Sequence, residues 1–289
     1  MIFFIPEGRL GNQIFQYLAL VKIAKKNETV VVFGFDELSE VFETEKIIRV
    51  PRNGKISRFG AEIFYKALFF LAHYNLISVA SVKREVIDGC YAREGNDISW
   101  QKGLISSVIL LDKGTFHSEA FFDEDDAIRL KIRQNVKEKA KHKLEEVTSE
   151  IRIFIHLRFG DYKDFKVYGN SPILPVNYYR HCMKEISHSC NPCFLVFSDD
   201  PAKAQNLLGD LNGVIFLNGG DFKIDFAMMA QCDGAILSAS SFGWWAAYFM
   251  SKKNIIYAPE HWLGFLRSID YPKQPCPEFF KKIDVHKMS

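Results

Sequence analysis

Several signatures are missing from this sequence of 289 residues. No uninterrupted apolar run reaches the ~20 residues that a membrane-crossing helix needs. No secretory leader is visible, because the first apolar run is short and has no basic residues ahead of it. Net charge is only +2, which removes the electrostatic case for nucleic acid as a partner. Cysteine is sparse, at six residues. Cys190 and Cys193 have metal-like spacing, but no second pair matches them, and they precede an apolar strand rather than opening a helix as redox pairs do. The expectation is free thiols in a reducing cytoplasm. The dinucleotide pattern Gly-x-Gly-x-x-Gly and a phosphate-loop lysine are absent, as are internal repeats and low-complexity tracts.

What is present is core material. Apolar residues make up 48% of the chain, and phenylalanine alone accounts for 26 positions, enough for one large or two modest domains. From residue 151 onward, short apolar runs alternate with helical patterns. Strands are expected at Arg152–Leu157, Phe194–Ser198, Val214–Leu217, Gly234–Ser238 and Ile255–Ala258. Helices are expected at Asn177–Ser187, Pro201–Leu208, Phe222–Gln231 and Phe242–Met250. Such alternation implies a parallel sheet with both faces covered. The first half opens with strand Ile2–Ile5, a helix from Ile14 and strand Thr29–Phe35, and closes with strand Ser107–Leu111. Residues 51 to 105 read as basic, aromatic and irregular. Ala67–Ala72, their densest apolar patch, reads as a buried helix; with basic residues around it, an interfacial helix on a membrane surface is the minor alternative. Asp123 to Asp126 read as the acidic first turn of one long helix reaching about Val147. The domain division is placed at residue 150.

Three segments carry chemistry. In Ile153–Tyr162 a buried strand runs into His156-Leu-Arg158 and turns at Gly160-Asp161. Alternation puts His156 and Arg158 on one strand face, at the end of the strand where α/β sheets bind ligands. Arginine keeps its proton and offers a planar fork of donors, which suits two phosphates. Near the N-terminus, Gly8-Arg9-Leu10-Gly11-Asn12-Gln13 links a strand to a helix, a turn whose N–H groups favour an anion. Finally, Ser238-Ala-Ser240-Ser241-Phe242 precedes another helix. Its hydroxyls serve either as an N-cap or as a phosphate seat.

Together these segments resemble the α-1,2-fucosyltransferase family. Arg9 to Gln16 fits its Gly-Leu-Gly-Asn-Gln block, His156 to Tyr162 its His-Val-Arg-Arg-Gly-Asp-Tyr block, Phe197 to Asp200 its Phe-Ser-Asp-Asp block, and Ser240 to Ala247 its last block. Pro175-x-x-Tyr178-Tyr179 is similar too. The blocks occur in family order. One departure stands out: Phe159 occupies the position of the family's second arginine.

The resemblance implies a GT-B fold, with two Rossmann-like α/β domains facing a central cleft, an acceptor-side domain at residues 1–150 and a GDP-sugar-binding domain at 151–289. It implies inverting transfer of L-fucose from GDP-β-L-fucose to a hydroxyl, O2 of a galactoside in a surface glycan, without a metal cofactor. Arg158 is then the pyrophosphate ligand, assisted by Ser240, Ser241 and the backbone at Phe242, while Arg9, Gly11, Asn12 and Gln13 reach the donor from the other domain. His156 either binds ribose or phosphate, or braces the strand end. Asp199 and Asp200 either take the guanine or ribose, or cap the helix at Pro201. Asp161 and Asp164 are general-base candidates, with a salt bridge as the plainer role for Asp161; Asp225 reads as a helix cap. Two other functions stay open: a fucosyltransferase of another linkage, and a non-catalytic GDP-sugar binder, the latter motivated by Phe159.

Overall fold

The structure is a computed structural model that describes residues 1–24, 28–45, 47–52, 55–87, 89, 91–217 and 220–288, with the side chains of 55–58 left out. The chain forms two units, Met1–Lys131 and Ile132–Ser289.

The first unit contains β1 (Ile2–Phe4), α1 (Leu10–Ile23), β2 (Val30–Phe33), α2 (Asp36–Val41), β3 (Ile48–Val50), α3 (Lys55–His73), β4 (Ile77–Ile87), β5 (Tyr91–Gln101), β6 (Ile105–Leu111) and α4 (Glu124–Arg129). Its sheet runs β3-β2-β1-β6-β4-β5. The β4–β5 pair is antiparallel and the other pairings are parallel. The strand order reverses beside β1, between β2 and β6. The segment 51–105 is therefore regular, contrary to the sequence expectation. Its strands were hidden because cross-strand polar pairs such as Arg93–Glu85 and Ser81–Ser99 interrupt the apolar alternation of the β4–β5 hairpin. The expectation of a buried helix at Ala67–Ala72 is also corrected. Leu68 and Ala72 face the sheet, but Phe69 and Phe70 are exposed, because α3 is apolar around most of its circumference and packs by one face.

The second unit contains α5 (Gln134–Glu145), β7 (Arg152–Leu157), α6 (Val176–Ser189), β8 (Cys193–Ser198), α7 (Pro201–Leu208), β9 (Val214–Phe216), α8 (Phe222–Met229), β10 (Gly234–Ile236), α9 (Ser241–Tyr248), β11 (Ile256–Pro259) and β12 (Lys281–Ile283). From β7 to β11 the boundaries lie within three residues of those read from the sequence; β12 was not read from it. All strands are parallel, in the order β12-β11-β10-β7-β8-β9. This is a doubly wound sheet, built outward on both sides of β7. Its switch point lies between β7 and β10, where ligands bind in such sheets.

The long helix expected from Asp123 to Val147 is two helices, α4 and α5. Leu130 and Arg133 adopt extended backbone between them, and the division between units falls here, at 131 and not at 150. α5 belongs to the second unit because Val136, Ala140 and Leu144 are buried on its inner face, and it packs along α8. Among the described cysteines, Cys182, Cys190, Cys193, Cys232 and Cys276 are free thiols; Cys90 lies outside the described residues. No helix among the described residues is long and apolar enough to cross a membrane.

Strand β7 sits mid-sheet with Ile153, Phe154, Ile155 and Leu157 fully buried. Truncating Ile155 to alanine is expected to cost about 2–5 kcal/mol. Urea unfolding should read this as a lower midpoint with an unchanged slope.

Candidate active site

The site in the second unit is built by three loops that leave neighbouring strands. β7 ends at Leu157, and Arg158 begins the loop that turns into a 3-10 helix at Asp161–Lys163. β8 ends at Ser198, followed by Asp199 and Asp200. β10 leads through Ser238 and Ala239 to the start of α9.

Asp199 holds the first two loops together. One carboxylate oxygen accepts from the N–H of Phe159 at 2.9 Å, and the other from the N–H of Gly160 at 3.1 Å. The second oxygen also pairs with Arg158 Nη1 at 3.0 Å. Gly160 is required by this close approach, since a Cβ there would lie 2.7 Å from the Asp199 oxygen. The other side of the guanidinium is taken by Asp161, with Nε at 3.0 Å and Nη2 at 2.9 Å from the same oxygen. The two acids differ in setting: the Asp161 side chain is 67% exposed and that of Asp199 only 23%. Asp199 is thus a fixed support, whereas Asp161 is a replaceable counter-ion.

The third loop is tied to β7. Ser238 N–H donates to the His156 carbonyl at 3.0 Å, and its hydroxyl meets His156 Nδ1 at 2.8 Å. Tyr162 donates its hydroxyl to the Ala239 carbonyl at 2.6 Å, and the Arg158 guanidinium lies 5.9 Å from the centre of the Tyr162 ring. Arg158 therefore stands beside the switch point, close to the start of α9. Ser240 is the N-cap residue of α9, but its side chain makes no capping bond. The capping reading of Ser240 is not what the structure contains.

His156 is buried under Phe242, whose ring centre is 5.7 Å away, and against Gly243, where a Cβ would come within 3.1 Å of the imidazole. Burial, with help from the Arg158 charge, pushes its pKa down to about 3. It is a neutral brace for the strand end. Asp200 caps α7, accepting from Lys203 N–H at 3.1 Å. Asp225 is not a cap, since Asp221 fills that role for α8. Instead, one Asp225 oxygen is buried without a partner and desolvation pushes its carboxyl up to about 6. Asp164 closes the short 3-10 helix at the surface, beside Lys163. Phe159 is buried in the core, with Lys203 Nζ 4.4 Å from its ring centre. The position held by an arginine in the family pattern thus points inward here.

In the first unit the same strand-to-helix geometry recurs with a different outcome. The expected anion seat at the start of α1 is filled by Glu37, which accepts from Leu10 N–H at 2.8 Å and pairs with Arg9 Nε at 3.3 Å. Gly11 is buried in the first turn of α1. Gln13 binds backbone on both sides, donating to the Gly8 carbonyl and accepting from Leu38 N–H. Asn12 Oδ1 lies 3.0 Å from Nε2 of His117, a half-buried histidine in the segment after β6 whose pKa desolvation pushes down to about 4. His117 and Gln16, which spans the Glu7 and Gly114 carbonyls, stitch the loops after β1 and β6. Neither was singled out by sequence reasoning, because lone polar residues in apolar surroundings carry no spacing signal. Glu37 was equally silent. Among the described residues no three His, Cys, Asp or Glu side chains converge as metal ligands.

The family model of glycosyl transferase family 11 matches residues 105–266, which include the whole Arg158 site. The chain belongs to glycosyl transferase family 11. Two Escherichia coli proteins are similar to this family 11 chain. An alpha-1,2-colitosyltransferase is 26% identical over 188 residues, or 59% of this chain and 61% of that protein. The O-antigen biosynthesis glycosyltransferase WbnK is 27% identical over 119 residues, 38% of each. The matches thus span less than two thirds of these relatives. In fold, the chain is similar to E. coli ADP-heptose lipopolysaccharide heptosyltransferase II, with a TM-score of 0.51 and 13% identity over 98% of this chain and 89% of that one. The two Rossmann-like α/β units have the GT-B fold.

The buried histidine has a measurable consequence. The folded-state pKa of His156 lies below its ordinary 6.5, so the unfolded chain takes up this proton first. Its contribution to stability is complete above about pH 6.5 and declines as pH falls toward 3. Between pH 6.5 and 5 the loss is about 2 kcal/mol. His117 acts in the same direction, and Asp225, with its raised pKa, in the opposite one. The difference between wild type and His156→Gln isolates the one group. Chemical denaturation at pH 7 and pH 5 should give a shallower pH dependence for the variant, and parallel curves would contradict the assignment.

Proposed function

We propose that this protein transfers L-fucose from GDP-β-L-fucose, with inversion, to a hydroxyl of a surface glycan, O2 of a galactoside being the acceptor position the family resemblance favours. The observation that carries the reading is the setting of Arg158: a permanent cation, fixed by Asp199, beside the switch point of a doubly wound sheet and near a helix start with no side-chain cap.

The chemistry asks for three things. As the bond from the anomeric carbon to the β-phosphate oxygen breaks, negative charge grows on the departing GDP. Arg158 and the first-turn N–H groups of α9 suit that charge. We propose that Arg158 does this without a metal cofactor. The pyrophosphate would replace the exposed Asp161 carboxylate on the guanidinium, because two anions cannot share the same donors. Asp161, once released, is a base within reach of the site for the proton of the attacking hydroxyl. His156 is not that base, since its imidazole is enclosed and already bound to Ser238.

A second reading keeps the mechanism and changes the sugar. It is favoured by the match to a colitosyltransferase. A non-catalytic sugar-nucleotide binder loses its main motivation, because Phe159 is a core residue and not a vacated ligand position.

The test is a thermal-shift titration with GDP, UDP and CMP in the presence of a chelator. Ligand at about a hundred times its dissociation constant adds about 2.7 kcal/mol of stability, and only GDP is expected to do so. Equal shifts for all three would remove the donor assignment. Arg158→Ala should lower transfer from GDP-fucose by about a hundredfold or more, measured as product formed from labelled donor. Asp161→Asn should bind GDP several-fold more tightly by calorimetry, since the competing charge is gone.

A further inference from the structure

α3 has a second apolar face that is exposed among the described residues of its unit. Ala61, Leu68 and Ala72 are buried on the inner side. On the opposite side Phe59, Ile63, Phe70 and Tyr74 are each more than half exposed. With Ala67, also exposed, they recur at helical spacing and form a straight stripe. It runs about 22 Å along the helix, at 1.5 Å per residue. Phe70 and Tyr74 stack on each other, with ring centres 4.7 Å apart. At the C-terminal end the stripe is extended by Leu104, 81% exposed, whose N–H donates to Asn75.

We propose that this face of α3 docks the protein on an anionic lipid surface, with the helix lying in the plane of the interface. Three observations select lipid as the occupant. First, the helix is basic: Lys55, Arg58 and Lys66 stand against the single acid Glu62. Lys66 on α3 and Lys102, two residues before Leu104, are exposed. A basic helix with an aromatic and aliphatic face is the pattern of interfacial binding. Second, the stripe mixes phenylalanine and isoleucine with a tyrosine at its end, matching an interface that is apolar at depth and wet at the rim. Third, it is too small for a stable partner. Exposed aromatics offer roughly 100 Å² each, so the stripe presents about 400–500 Å², against roughly 800 Å² per partner in a specific protein interface. Lipid has no such threshold, because each side chain inserts on its own.

The proposal does not depend on the glycosyl-transfer reading, and its test measures lipid binding alone. The full-length protein is sedimented with phosphatidylcholine vesicles and with vesicles of equal parts phosphatidylcholine and phosphatidylglycerol. Wild type is expected to co-sediment with the anionic vesicles, less at high salt, and far less with the neutral ones. Phe59→Ser and Phe70→Ser should each weaken binding about tenfold, and Lys66→Glu should weaken it on anionic vesicles. Ile128→Ser, an exposed apolar position on α4, should leave binding unchanged. All four side chains are exposed, so the variants should melt near the wild-type temperature. Failure of wild type to bind anionic vesicles, or equal binding by all variants, would overturn the proposal. So would a dimer in vesicle-free solution that Phe70→Ser dissociates, since a second copy would then be the occupant.

Discussion

The site depends on one carboxylate. Asp199 accepts hydrogen bonds from two consecutive backbone N–H groups and holds one arm of Arg158. Those three donors fix the turn after β7 and the direction of the guanidinium together. Without the carboxylate, two N–H groups at a strand end would lose their acceptor, and the arginine would keep only its exposed partner. Gly160 belongs to the same arrangement, because any side chain there would occupy the space of the carboxylate. The cation that the proposed chemistry needs is in this sense prepared by the fold, and its position is set before any ligand arrives.

The two units use the same strand-to-helix device for different ends. In the second unit the cation is held at the switch point and the nearby helix start lacks a side-chain cap. In the first, Glu37 already sits on the start of α1, and Arg9 is turned toward it. The Asn12–His117 pair and Gln16 cross-link the loops that flank that switch point. A neutral, half-buried histidine is suited to such work, since it makes directional bonds without bringing a charge between the loops.

Legibility from sequence followed chemistry closely. The second unit was readable because its strands are short, continuous apolar runs separated by helical patterns, and its boundaries were found to within a few residues. The β4–β5 hairpin was not readable, because cross-strand polar pairs interrupt the apolar alternation along its strands. α3 was misread because apolar density predicts burial only when a partner surface exists, and a sequence does not count its partners. The break between α4 and α5 was missed because both pieces are charged and helical; what separates them is that they pack in different units.

The sequence by itself determined the fold class, the succession of strands and helices from β7 to β11, and Arg158 as the candidate around which the site was sought. These rest on local properties: hydrophobic periodicity, turn residues, and a permanent charge at a strand end. Tertiary structure alone decided which of two neighbouring aspartates supports the arginine and which caps a helix. It also decided that His156 is a brace, that Phe159 lies in the core, and that a second histidine, His117, stands on Asn12. Each of those distinctions turns on which atoms meet across loops far apart in the chain, and on how much water reaches them. Neither quantity is written in the order of residues; both appear only when the strands are set side by side.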